Sequence, residues 1–393
     1  MPLAIILGLA GCSAAVNDDR AGTETPYPIR TVAAGASPSP GGVTIFAVTR
    51  DRAGEAILST AIAAGPADPG LLRQRAAIRV ALLDLDGAIA DLDAAMALGT
   101  PIASVLLDRG GVLLRRGAWD RALADFDAAI RLQPGLGDAY VGRALARSAM
   151  ANGEPQAYRA ALDDLTLAQA TAVPPTSIPA ARARILLDRH AFRGDPADLA
   201  SVVQGFRAEP PAGTAGIVVA VEALARSADL PGAEALLASA ADVTSPEERG
   251  SLALASAHIG QAAGDTARFT AQAREALAAD PWSWRASRSR VEASLAAGRA
   301  EDARDLATTA LGRHPDDPVL LFLLGRALID TGEGNAARER LALAARALGA
   351  SPVYVARITE ALKTLAPMGT PAGTPGETPL GSPVGIPPEA PGD

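Results

Sequence analysis

The chain has 393 residues and a formal charge of −8, and 49% of its residues are hydrophobic while only 3% are aromatic. Apolar content of this kind, built from alanine, leucine and valine, favours closely packed helices over a sandwich or barrel, which draws on aromatic and β-branched strands. The acidic balance argues against a general nucleic-acid binder, and a half-apolar chain with 20% charged residues is not one that stays disordered throughout.

The first element is the apolar run Leu3 to Gly11, too short to span a bilayer as a helix. It ends directly before Cys12, the one cysteine in the chain, which leaves no intrachain disulfide and no thiolate metal cluster. Leu9-Ala10-Gly11-Cys12 resembles the lipobox of bacterial lipoproteins. That resemblance implies that residues 1–11 are a signal peptide and that Cys12 becomes the lipidated first residue. No Lys or Arg precedes the run, so it reads as a signal peptide truncated at its start. The expected place is extracytoplasmic, lipid-anchored on the cell membrane or outer membrane, and Ser13 after the cysteine favours the outer one. Residues 12–42 include Ser37-Pro38-Ser39-Pro40-Gly41-Gly42 and read as a flexible tether reaching roughly 30 Å.

Residues 43–366 read as a repeat array, opened by a partial unit helical over Gly54 to Ala64. The clearest unit carries Leu106, Gly110, Leu113, Gly117, Trp119, Ala122, Phe126, Ala129 and Pro134. Gly110 and Ala122 let two helices approach, Gly117 ends the first and Pro134 stops the second. Gly264, Gly298 and Gly332 recur every 34 residues, as do Ala88, Leu92 and Ala95 against Ala122, Phe126 and Ala129. The pattern resembles the tetratricopeptide repeat, which implies an all-α solenoid of helix-turn-helix units. About eight units are expected, starting near 69, 103, 137, 180, 214, 250, 284 and 318. The third carries about nine extra residues, assigned to Asn152-Gly153-Glu154-Pro155 and the Pro174-Pro175 exit, and the unit near 180–211 is the most divergent. Ser351 to Ala366 supplies a capping helix with Ser351 as N-cap and Pro352 at its first position. Residues 367–393, with Thr-Pro every four residues, are expected to be disordered or extended.

Catalytic constellations do not emerge. Only Lys363 among the 36 basic residues is lysine, which leaves no phosphate-loop lysine and no Ser-x-x-Lys nucleophile. His190, His258 and His314 are far apart with no His-Glu-x-x-His pair, so no metal site is expected. Asp91 with Asp93, and Asp125 with Asp127, look like carboxylate pairs, but residues two apart on a helix diverge; a solvated face is expected. Gly332-Glu333-Gly334 mimics a dinucleotide fingerprint but follows the helical run Leu320 to Leu328 rather than a strand. The expectation is a binding protein with no catalytic residues and no cofactor.

The repeat resemblance implies a concave groove lined by the first helix of each unit. Carried over position by position, it is lined by Arg73, Gln74, Leu107, Asp108, His258, Arg285, Arg288, Glu292, Phe322, Arg326 and Arg357, with Trp282 and Trp284 nearby. The expected partner is a protein or peptide; arginine forks bind carboxylates bidentately, which makes an acidic or carboxylate-ended segment one reasonable ligand class. The alternatives are a recognition subunit of an envelope enzyme or of a secretion or assembly complex, and a cytoplasmic adaptor if the lipobox is accidental.

Overall fold

The computed structural model describes residues 52–65, 68–99, 102–240 and 245–365. Cys12, the tether and the Thr-Pro tail lie outside the described residues. Within them α1 (Arg52–Ala64) is followed by eight antiparallel pairs and a closing helix. The pairs are α2 (Pro69–Ala81) with α3 (Leu85–Ala97), α4 (Ala103–Arg116) with α5 (Trp119–Leu132), and α6 (Gly137–Met150) with α7 (Pro155–Gln169). They continue as α8 (Ile178–Arg193) with α9 (Pro196–Ala208), α10 (Gly213–Arg226) with α11 (Leu230–Ala238), and α12 (Pro246–Ala263) with α13 (Thr266–Ala279). The last are α14 (Trp284–Ala296) with α15 (Ala300–Arg313) and α16 (Pro318–Asp330) with α17 (Gly334–Ala347), closed by α18 (Pro352–Lys363). Among the described residues no helix is long and apolar enough to cross a membrane.

The helix starts match the 34-residue frame, with the largest departure at α12. It begins at Pro246 instead of near 250, because the Ser245 hydroxyl caps the Glu248 N–H and proline occupies the first turn. Ser351 likewise caps Tyr354 in α18. The even-numbered helices touch one another in succession from α2 to α18 and form the inner wall, with the odd-numbered helices packed outside them. Small residues set the spacing: Phe126 of α5 is fully buried, and a Cβ on Gly110 would lie 2.8 Å from its ring.

An arginine ladder ties successive pairs together. The seventh residues of α2, α4 and α6 are Arg75, Arg109 and Arg143. Arg75 donates to Asp91, Arg109 to Asp125 and Arg143 to Asp164, the last displaced by the insertion in α7's unit. Each also reaches back 16 residues to the preceding outer helix, to Ser59, Asp93 and Asp127 at 3.1, 2.6 and 2.8 Å. Asp91 and Asp125 are therefore not on a solvated face, as their spacing suggested. They are 3% and 5% exposed, and the preceding helix of the same pair supplies a guanidinium to each.

The superhelix completes one turn, so that its later pairs rest on earlier ones. Trp282, in the exit of the sixth pair, donates its indole N–H to the Leu83 carbonyl, 199 residues earlier in the turn of the first pair. His314, in the exit of the seventh, lies against Gly117 in the turn of the second. Arg193 donates to the carbonyls of Gly153 and Ala350, and the Ser351 hydroxyl donates to that of Phe192. α18 thus packs against α8 as well as against its neighbours α16 and α17, with Tyr354 between the rings of Phe192 and Phe322.

Candidate functional site

Closure of the superhelix leaves a cavity of about 300 Å³ against the inner wall, lined by residues of α4, α6, α8, α10 and α12 and by the start of α14. Its walls are largely apolar: Val80, Leu107, Val112, Leu114, Leu145, Val218, Val219 and Leu254 surround small positions at Ala149, Ala180 and Ala215. That volume sits at the small end of the range for ligand pockets, about 300–1,000 Å³.

Charged groups stand at two sides of it. On one, Arg115 of α4 crosses to Glu247 of α12 at 2.7 Å and to Asp280 at 3.2 Å, while its Nε is buried without a partner. Burial pushes the Glu247 carboxyl up; Arg115 opposes that, and Asp280 and Glu248 reinforce it. Glu248 accepts from the hydroxyls of Thr214 and Ser245. On the other side Arg184 donates to Glu222 at 2.6 Å, and Arg285 grips Asp188 with both Nη atoms at 2.9 and 2.8 Å. Burial raises the Glu222 carboxyl, but Arg184, His258, Arg226 and Arg285 together hold it well below the usual carboxylate range. His258 is pushed down to about 4 by burial, against the pull of Glu222, with Arg226 and Arg184 adding to the depression.

The groove positions read from sequence meet different fates. Arg73 is bound to Asp108, Arg285 to Asp188 and Arg288 to Asp317, so these guanidiniums are already neutralised by the chain's own carboxylates. Phe322 is buried against Tyr354 and is part of the core. Glu292 faces Gln261 at 3.5 Å, its carboxyl pushed up by burial against the opposing charge of Arg357. Gln74, Arg326 and Arg357 remain exposed, Arg357 over the Tyr354 ring. Trp282 lies under Arg116, and Trp284 lies under Arg285 and Arg288 and edge-on to Trp119. Leu107 and Asp108 do line the cavity, with Trp284 and Arg285 at its rim.

Sequence reasoning missed Arg115, Arg184, Glu222 and Glu247, which come from four different pairs. Glu222 carried a signal: it is the one charged residue in the apolar run Ile217 to Ala225.

Residues 294–358 match the model of the tetratricopeptide repeat. No curated protein matches the chain. Among solved structures, a human IFIT1 dimer with PPP-AAAA is similar with a TM-score of 0.50 at 14% identity, over 81% of this chain and 86% of that one. Yeast Tom70 gives 0.40 at 14% identity over 79% and 76%, and a tetratricopeptide repeat protein from Parabacteroides merdae gives 0.35 at 15% over 76% and 98%. At these identities the likeness is one of fold: an all-α solenoid of helical repeats.

Proposed function

We propose that this chain is a non-enzymatic binding scaffold that receives an apolar-anchored segment of a protein partner in the cavity of its inner wall, and that it is tethered to a bacterial membrane by lipid on Cys12. The cavity carries the first half of that reading. It presents contiguous aliphatic walls and small alanines, while the arginines around it are occupied by internal carboxylates, which favours an apolar anchor over an acidic one. The lipid tether rests on Leu9-Ala10-Gly11-Cys12 and the Pro-, Gly- and Ser-rich stretch behind it.

Two measurements test the two halves. Ala149→Phe with Ala215→Phe fills the cavity from α6 and α10; crosslinking in the native cell should lose partners that the wild type captures and that an Arg131→Gln control retains. Equal recovery from all three sinks the cavity assignment. A clickable fatty acid should label the wild type and not Cys12→Ser; an unlabelled wild type removes the tether.

A further inference from the structure

The chain closes on itself along two seams, and they differ in kind. Where α18 meets α8, helix packs on helix, Phe192 joins the apolar core of the last pairs, and Tyr354 lies between two rings. The Ser351 hydroxyl and the Arg193 guanidinium donate to main-chain carbonyls there, one of them that of Gly153 in the third pair. At the seam between the first two pairs and the sixth and seventh, none of α2 to α5 packs along any of α12 to α15 among the described residues. Single side chains and turns make that contact instead.

This second seam is held by few groups and leaves several unsatisfied. Arg115 bridges to Glu247 at 2.7 Å and to Asp280 at 3.2 Å, Trp282 donates to the Leu83 carbonyl at 3.1 Å, and Trp119 meets Trp284 edge-on at 5.8 Å. Four buried polar atoms along it have no partner: Nε of Arg115, Nε1 of Trp119 and both ring nitrogens of His314. A polar group buried in this way loses its hydration with no hydrogen bond in exchange, and parting the seam returns it to water. Closure is therefore weakened by what it buries, whereas the α8–α18 seam gains from its apolar contacts. The cavity lies directly behind the weaker seam, since Arg115, Glu247 and Trp284 belong to both. At about 300 Å³ it is at the small end of the range for ligand pockets, and a segment that brings its backbone as well as its anchor calls for more room.

We infer that the superhelix opens along the seam between the first two pairs and the sixth and seventh, and that this opening is the entrance by which a partner segment reaches the cavity. The first two pairs swing about the third, while α18 stays docked on α8 and keeps the later pairs together. The inference rests on the occupant proposed above for what enters; the opening itself is a property of the seam.

Two measurements on the purified full chain test the opening and the entrance separately. In native-state hydrogen exchange followed by NMR, the Trp282 indole N–H should be protected at least a hundredfold less than the amides of α8 and α18. Its exchange should quicken in sub-denaturing urea, as a local flicker of the ring would not, and at least tenfold in Arg115→Gln, with α8 and α18 unchanged. For the entrance, a Cβ on Gly117 would lie 3.8 Å from Cγ of His314, one bond from that residue's own Cβ and within reach of a disulfide. Gly117→Cys with His314→Cys, in a Cys12→Ser background, therefore locks the seam when oxidised and frees it when reduced. The neutral apolar dye N-phenyl-1-naphthylamine should bind the wild type and the reduced variant saturably and enter the oxidised form at least tenfold more slowly. It should not bind Ala149→Phe with Ala215→Phe, which locates it in the cavity. Should the cysteine variant fail to fold, Trp282→Phe, which removes the indole donor, should admit the dye at least threefold faster than the wild type. The inference is overturned if the Trp282 indole is as protected as α8 and α18 or indifferent to urea and Arg115→Gln, or if the oxidised and reduced forms take up the dye at one rate. A wild type that takes up no dye removes the occupant of the cavity instead, and the exchange result then decides the opening by itself.

Discussion

Gly117→Ala probes the contact that closes the superhelix. Gly117 and Gly298 both cap the first helix of a pair with left-handed backbone, at φ of 81° and 69°. Adding a Cβ strains each by about 1–2 kcal/mol, because an L-residue crowds its own carbonyl there. Around Gly298 nothing lies within 4 Å of the added atom, so Gly298→Ala should cost that strain alone. At Gly117 the Cβ would lie 2.7 Å from Nδ1 of His314, a ring 4% exposed whose two nitrogens have no partner. Displacing a buried side chain adds about 1–3 kcal/mol, so Gly117→Ala should be the more damaging by that margin. Urea unfolding followed by tryptophan fluorescence is the suited assay. The three tryptophans, Trp119, Trp282 and Trp284, all sit where the second superhelical turn meets the first. His314→Ala should cost less in the Gly117→Ala background than in the wild type, since the clash disappears with the ring. Equal costs for the two glycines, within about 0.5 kcal/mol, together with additive behaviour of the double variant, would refute the closure.

Other outcomes follow from the ion pairs and the buried histidine. Asp125→Asn removes the buried partner of Arg109 and should cost about 3 kcal/mol, whereas Asp93→Asn removes a half-exposed one and should cost no more than about 1 kcal/mol; denaturant midpoints of the two separate them. His258 stays neutral in the folded chain down to about 4 but accepts a proton near 6.5 when unfolded. Its contribution is therefore complete above the unfolded value and is lost as pH falls from about 6.5 to about 4, by up to about 3 kcal/mol. The difference in stability between wild type and His258→Gln, measured across that window, should carry this slope; a flat difference contradicts a buried neutral ring. Ser351→Ala loses both the cap on Tyr354 and the hydroxyl donated to Phe192, so it should cost about 1–2 kcal/mol and raise amide exchange in α18 and at the end of α8 together.

The sequence by itself determined the all-α repeat fold, the eight pairs and the closing helix. The reason is that each unit's contacts are local: Gly110 against Phe126, a left-handed glycine at a turn and a proline at an exit repeat every 34 residues and need no knowledge of distant chain. It also carried the ladder in the spacing of Arg75, Arg109 and Arg143 with Asp91, Asp93, Asp125 and Asp127. The partnership is hidden in the sequence because carboxylates two apart diverge within one helix, while their guanidiniums come from two neighbouring ones. What the groove arginines do was decided only by tertiary structure. A local pattern places Arg285 and Arg288 on the inner wall. Asp317 reaches Arg288 from the cap of the next inner helix, but whether Asp188 reaches Arg285 depends on how far the superhelix winds, the sum of small rotations accumulated over several units. Winding through a full turn brings Trp282 onto Leu83 and His314 onto Gly117. It leaves a cavity of about 300 Å³ where the repeat pattern alone implied an open groove.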